Sequence, residues 1–175
     1  MRKFGFGVAA FASLLAAASP AFAAKGTGCD GFLWPLTTEL AWLQSADPEK
    51  LASGGRLAAP PADKAIEVAL LPASQVKFAT PPTSTPKPED ATAFGGVVNF
   101  DNIEAGQYQV TLSVHGWIDV IQNGAPLEAI GHTGSEGCDA MRKSVRFEIG
   151  SGPVTIQLNG IRKDSVKLTI RPAAD

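Results

Sequence analysis

The sequence lacks the short motifs that mark most chemistries. It has no Gly-x-x-x-x-Gly-Lys phosphate cradle and no Gly-x-Ser-x-Gly nucleophile elbow. A His-x-His pair is absent as well, and the 175 residues hold only two histidines, His115 and His132. Basic residues are not in excess: 15 Lys and Arg stand against 17 Asp and Glu, which removes the electrostatic footprint expected of a nucleic-acid binder. Beyond residue 23 no apolar run is long enough to span a membrane.

What is present begins with an export signature. Met1-Arg2-Lys3 supplies a basic start, Phe4 to about Ala18 an uncharged apolar core, and Ser19-Pro20-Ala21-Phe22-Ala23 a small-x-small site. Cleavage after Ala23 leaves 152 residues with a formal charge of −4, because the leader carries two basic residues and no acidic one. That length suits one domain with its own core. The chain is expected in the periplasm or secreted, with no membrane span after cleavage.

Only two cysteines occur, Cys29 and Cys138. In an oxidising compartment nothing keeps such a pair reduced, so a Cys29–Cys138 disulfide is expected. Lipidation of Cys29 is disfavoured, since Gly26-Thr27-Gly28 before it lacks the usual apolar residue.

Leu36, Leu40 and Leu43 follow helical spacing, so one short helix is expected over 35–45, with Pro35 at its first position and Glu39 near its start. Asp47-Pro48 stops it, and the Gly-Gly and Pro-Pro pairs between Ser53 and Asp63 read as a connector. From Ala65 the period changes to two, with strands expected at 65–70, 76–79, 95–100, 107–115, 117–121, 127–131, 143–149, 153–159 and 164–171. Asn123-Gly124 is a hairpin signal, with a loop expected from Gln122 to Pro126. The proline-rich run from Thr80 to Asp90 reads as an extended surface loop. These signals imply an all-β protein: an antiparallel β-sandwich or jelly roll of eight or nine strands with one short N-terminal helix. Its parts are a signal peptide over 1–23, a helix and linker over 24–64, and the sandwich over 65–175.

Gly106-Gln107-Tyr108-Gln109-Val110-Thr111-Leu112, Trp117-Ile118-Asp119-Val120 and Gly152-Pro153-Val154-Thr155-Ile156-Gln157-Leu158 resemble strands of bacterial pre-peptidase C-terminal-type β-sandwich domains. The resemblance covers roughly 65–171 and implies a non-catalytic appendage of exported proteins. The Cys-Asp-Gly-Phe-x-Trp start and the segment 138–145 also resemble a group of short exported proteobacterial proteins, some bearing the name homogentisate dioxygenase. Enzymes of that name are much longer and cytosolic.

Several residues are candidates for a site. His115 and His132 with Glu136, Asp139 or Asp119 contain the elements of a two-histidine, one-carboxylate iron site, although Thr133-Gly134 stands where a second local ligand belongs. This is the enzyme alternative, with iron or another divalent metal as cofactor; the main reading requires none. Asp119 lies among apolar neighbours in its strand, so it is expected to pair with Arg142 or Lys143. Trp117 and Tyr108 are candidates for stacking on a ligand, whereas Trp34 and Trp42 adjoin the helix and read as buried. Arg146, Lys167 and Arg171 are candidates for a basic stripe, interrupted by Glu148 and Asp164. The expected activity is binding, to a protein or a glycan of the cell envelope.

Overall fold

Period-two alternation carries most of the chain into strands. The computed structural model describes residues 28–84 and 92–173. The leader expected over 1–23, and the proline-rich run from 85 to 90, lie outside the described residues.

In chain order the described strands are β1 (Glu49–Ala52), β2 (Arg56–Leu57), β3 (Ile66–Ala69), β4 (Leu71–Pro72), β5 (Phe94–Ile103) and β6 (Gly106–Leu112). They continue with β7 (Trp117–Gln122), β8 (Ala125–Pro126), β9 (Ala129–Gly134), β10 (Lys143–Ile149), β11 (Gly152–Ile161) and β12 (Ser165–Pro172). The first sheet runs β1-β3-β12-β6-β10-β9, and the second runs β2-β5-β11-β7-β8 with β4 also paired to β5. The fold is the expected all-β sandwich, with twelve strands among the described residues in place of the eight or nine expected. Its long central strands pair antiparallel, while β1 on β3 and β2 on β5 run parallel at the edges.

Inward positions of the two sheets form one core. Val110, Leu112, Phe147, Leu168 and Ile66 of the first sheet meet Val98, Phe100, Val120, Ile156 and Leu158 of the second, all fully buried or nearly so. Each such side chain contributes about 1.5–3 kcal/mol by leaving water.

Several local expectations differ from the structure, among them the helix start, which falls at Thr37 and leaves Pro35 outside the helix. The stretch read as helix and linker, 24–64, contributes β1 and, within the Ser53–Asp63 connector, β2, whose pairing depends on β3 and β5 and not on local alternation. Residues 76–79 form no strand; instead the side-chain amide of Gln157 takes the place of a ladder. Its Oε1 accepts from the amides of Ala79 (2.6 Å) and Thr80 (3.1 Å), and its Nε2 donates to the Thr80 carbonyl. The β7–β8 hairpin closes on Asn123-Gly124 alone, with φ of 53° and 78°, because these two residues tolerate the left-handed region that a two-residue turn requires.

The helix, α1 (Thr37–Gln44), lies on the outer face of the first sheet against β12. Lys167 of β12 donates to the carbonyls of Leu43 and Ser45, satisfying groups that a helix end leaves open. Leu36 and Leu43 join Cys138 and Met141 in a second, smaller apolar cluster, with Cys29, Trp34, Leu40 and Trp42 at its margin.

Candidate functional site

The disulfide forms as expected between Cys29, in a 3-10 turn at Gly28–Asp30, and Cys138, in the loop between β9 and β10. Small residues make the approach possible: a Cβ on Gly137 would stand 2.9 Å from the Gly28 nitrogen. Ser135 Oγ donates to the Gly28 carbonyl at 2.7 Å, so the turn and the loop are joined by more than the sulfur bridge. Within the loop, the Arg142 guanidinium donates to the Glu136 carbonyl and, at 2.8 Å, to Asp139 Oδ1. This ordered loop forms one wall of a cleft of about 620 Å³, whose lining includes His115, His132, Glu136, Arg142 and Lys143. A second cleft of about 500 Å³ shares His115 and Arg142 with the first and adds Asp139, Arg162 and Lys163.

Lys143 connects the first cleft with the other sheet. Its ammonium lies 4.6 Å from the centre of the Trp117 ring and donates to the Gly116 carbonyl at 3.3 Å. Burial lowers its pKa from the ordinary lysine value, and the nearby Asp119 partly opposes that shift. Gly116 fits this junction because a Cβ there would meet Ile161 at 2.6 Å.

The four residues of the metal reading are divided between the clefts. His115, His132 and Glu136 border the first, whereas Asp139 lies in the second, its side chain 99% exposed and paired with Arg142. Among the described residues no group of three or more histidine, cysteine or acidic side chains is placed to hold a metal ion.

Asp119 feels the expected Lys143 only through its charge and takes its hydrogen bonds from other residues. It is only 5% exposed, and Oδ1 accepts from the Thr83 hydroxyl and from Trp117 Nε1 (3.0 Å), while Oδ2 accepts from the Thr83 amide (3.1 Å). The carboxylate thus anchors the start of the proline-rich run to the outer face of the second sheet, and Arg142 is engaged by its own loop. Trp117 remains 42% exposed with its indole N–H also bonded to Thr83 Oγ1 at 2.9 Å, so its ring is fixed yet accessible. Tyr108, the other stacking candidate, is only 7% exposed and packs against the core, where burial, and then Glu104, raise its pKa.

The basic stripe is likewise redirected. Arg146 lies 4.4 Å over Trp34 and Arg171 5.8 Å over Trp42, so both cations are applied to the N-terminal segment. Beneath that segment runs a buried polar chain that the sequence reading missed. Arg146 Nε donates to Gln109 Oε1 (3.3 Å), Gln109 Nε2 to Glu39 Oε1 (2.6 Å), and Arg171 to the same Glu39 oxygen (3.2 Å). Thr111 and Ser144, fully buried beside it, bond each other at 2.8 Å. Strand alternation marks the strand residues among these as outward positions but does not distinguish water from a cover, and Glu39 lies on the helix. The one available signal was Cys29 next to a short stretch rich in aromatic and leucine residues.

No known family model matches the chain, and no curated protein shows significant similarity to it.

Proposed function

We propose that the protein is an exported, non-catalytic binding module of the bacterial cell envelope, working in the periplasm or outside the cell. Its likeness to pre-peptidase C-terminal-type sandwiches supports the same role. The partner is a protein or a glycan of the envelope, held at the loops that the disulfide orders. One observation carries this reading: the Cys29–Cys138 bond fastens residues 28–31 against the loop 134–142, and the cleft lies along that junction. A disulfide that persists belongs to an oxidising compartment.

The test is retention of the mature, oxidised protein on separated envelope fractions, namely peptidoglycan, outer-membrane polysaccharide and envelope proteins. Retention by one fraction, lost on reduction or in the Cys29→Ser/Cys138→Ser double variant, is the expected result. Equal retention of the reduced protein, or a cellular protein confined to the cytoplasm with both thiols free, overturns the proposal.

A further inference from the structure

We infer that the two clefts meeting at His115 and Arg142 form one groove for an acidic glycan, with Trp117 as the platform for a sugar ring. This rests on the binding-module reading above and assigns its ligand class.

Charge distribution is the first support. The chain as a whole carries more acidic than basic residues, yet the two clefts gather Arg142, Lys143, Arg162 and Lys163 against Glu136 and Asp139. Several other cations are committed elsewhere, Arg146 and Arg171 to tryptophans, Lys167 to the helix end, Arg56 to Asp101 and Lys64 to Asp47, while the exposed Lys50 and Lys77 line neither cleft. Among the described residues Arg162 and Lys163 have no ion-pair partner, and both are exposed at the turn between β11 and β12. Asp139 is so exposed that its pairing with Arg142 stabilises little and competes weakly with an incoming anion. Lys143 is a partly desolvated cation, which an anionic group would stabilise.

Shape and the aromatic residue select a glycan over a protein surface. Protein interfaces depend on apolar anchors in a dry centre, whereas both clefts here are lined chiefly by charged, imidazole and glycine groups. Trp117 projects from the adjoining strand as an exposed ring, and Lys143 joins that ring to the first cleft. Its indole N–H, held by Thr83 and Asp119, fixes the plane before any ligand arrives. An aromatic face beside clustered cations matches a sugar ring bearing carboxylate or sulfate groups.

Calorimetric titration of the mature, oxidised protein decides the matter, using an oligouronate, its methyl ester, a sulfated oligosaccharide of equal length, inorganic sulfate and an acidic peptide. The oligouronate or the sulfated sugar is expected to bind, the better of the two naming the anion, with the methyl ester at least about tenfold weaker than the free acid if the uronate is preferred. Arg142→Ala and Lys143→Ala should each weaken binding about tenfold, the scale of one charge-assisted hydrogen bond. Trp117→Ala should weaken the sugars and leave inorganic sulfate unchanged. Arg162→Glu, an exposed substitution that leaves folding intact, should weaken binding as well, so the groove stays testable if a loop variant fails to fold. Equal binding of ester and acid with no response to the sulfated sugar overturns the anionic assignment. Inorganic sulfate or the acidic peptide matching the sugars, with Trp117→Ala without effect, overturns the glycan. These outcomes leave the binding-module reading standing; it falls only if every envelope fraction also fails to retain the protein.

Discussion

Each sheet of the sandwich turns a polar outer face away from the core, and the chain covers the two faces by different means. Over the first sheet lies the N-terminal segment, fixed by a disulfide, an apolar cluster and two arginine–tryptophan contacts above the Glu39–Gln109 chain. Over the second lies the run from Ala79 to Ser84, held chiefly by hydrogen bonds from Gln157, Asp119 and Asn159. The first cover excludes water and needs a covalent clasp at its end; the second remains near solvent and is fastened side chain by side chain. The first cleft runs along the clasp, and its Lys143 lies over the ring of Trp117, which is bonded to Thr83 of the second cover.

Removing the clasp gives the largest effect. The double variant Cys29→Ser/Cys138→Ser releases a loop on the order of 100 residues, for which chain entropy gives a loss of about 4–5 kcal/mol. Guanidinium unfolding should show that loss, with amides over 28–45 exchanging well ahead of those in β5 and β11. A loss below about 1 kcal/mol would mean that the first cover holds by its own contacts, which would erase the difference between the two.

Glu39→Ala follows. The carboxylate is fully buried and accepts from both Gln109 and Arg171, while Glu39 Oε2, Trp34 Nε1 and Thr169 Oγ1 are buried there without partners among the described residues. Removing it leaves Gln109 Nε2 without its acceptor in the interior, but Arg171 is partly exposed and can turn outward, so about 2–3 kcal/mol is expected and not the full cost of an isolated buried charge. Urea unfolding measures it, and an unchanged midpoint would show that the polar layer adds nothing to the cover.

On the second face, Asp119→Ala removes acceptors from the Thr83 amide, the Thr83 hydroxyl and the Trp117 indole. All three lie close enough to water to be resolvated, so about 1–2 kcal/mol is expected. The signature is local: exchange of the Thr83 amide and the Trp117 indole proton should accelerate while β6 and β12 stay protected. Global loosening of both sheets would show that the second cover is as integral as the first.

Much of the sandwich was legible because its strands obey one rule. Residues 143–149, 153–159 and 164–171 alternate cleanly, and they are β10, β11 and β12 almost to the residue. The two-residue strand β2 was not legible, since pairing to Asn99 and Phe100 across the fold leaves no period in so short a run. Val76 and Phe78 alternate like a strand, but β2, β4 and β11 already occupy the edges of β5, so no ladder remains for them. The disulfide was legible from the cysteine count and the expected compartment. The groove was legible only in part: His115, His132, Glu136, Arg142 and Lys143 meet at one cleft, but the contribution of Arg162 and Lys163 depends on the turn after β11 reaching the same end of the sandwich.

The smallest effect separates the covers by their packing. Gly131 of β9 lies beneath Trp34, and a Cβ added there would stand 3.7 and 3.8 Å from two ring carbons, an ordinary contact. Alanine costs less backbone entropy than glycine in a strand and adds a methyl to an apolar contact, so Gly131→Ala should stabilise the protein by about 0.5 kcal/mol. The corresponding glycine of the second sheet, Gly95 beneath Phe78 and Val76 just before the second cover, has no such room, because its Cβ would lie 2.7 Å from the Leu158 carbonyl oxygen. A thermal melt of Gly131→Ala reads the sign directly. A loss above about 1 kcal/mol would show that Trp34 is seated too tightly to yield, making the first cover as intolerant of added volume as the backbone beneath the second.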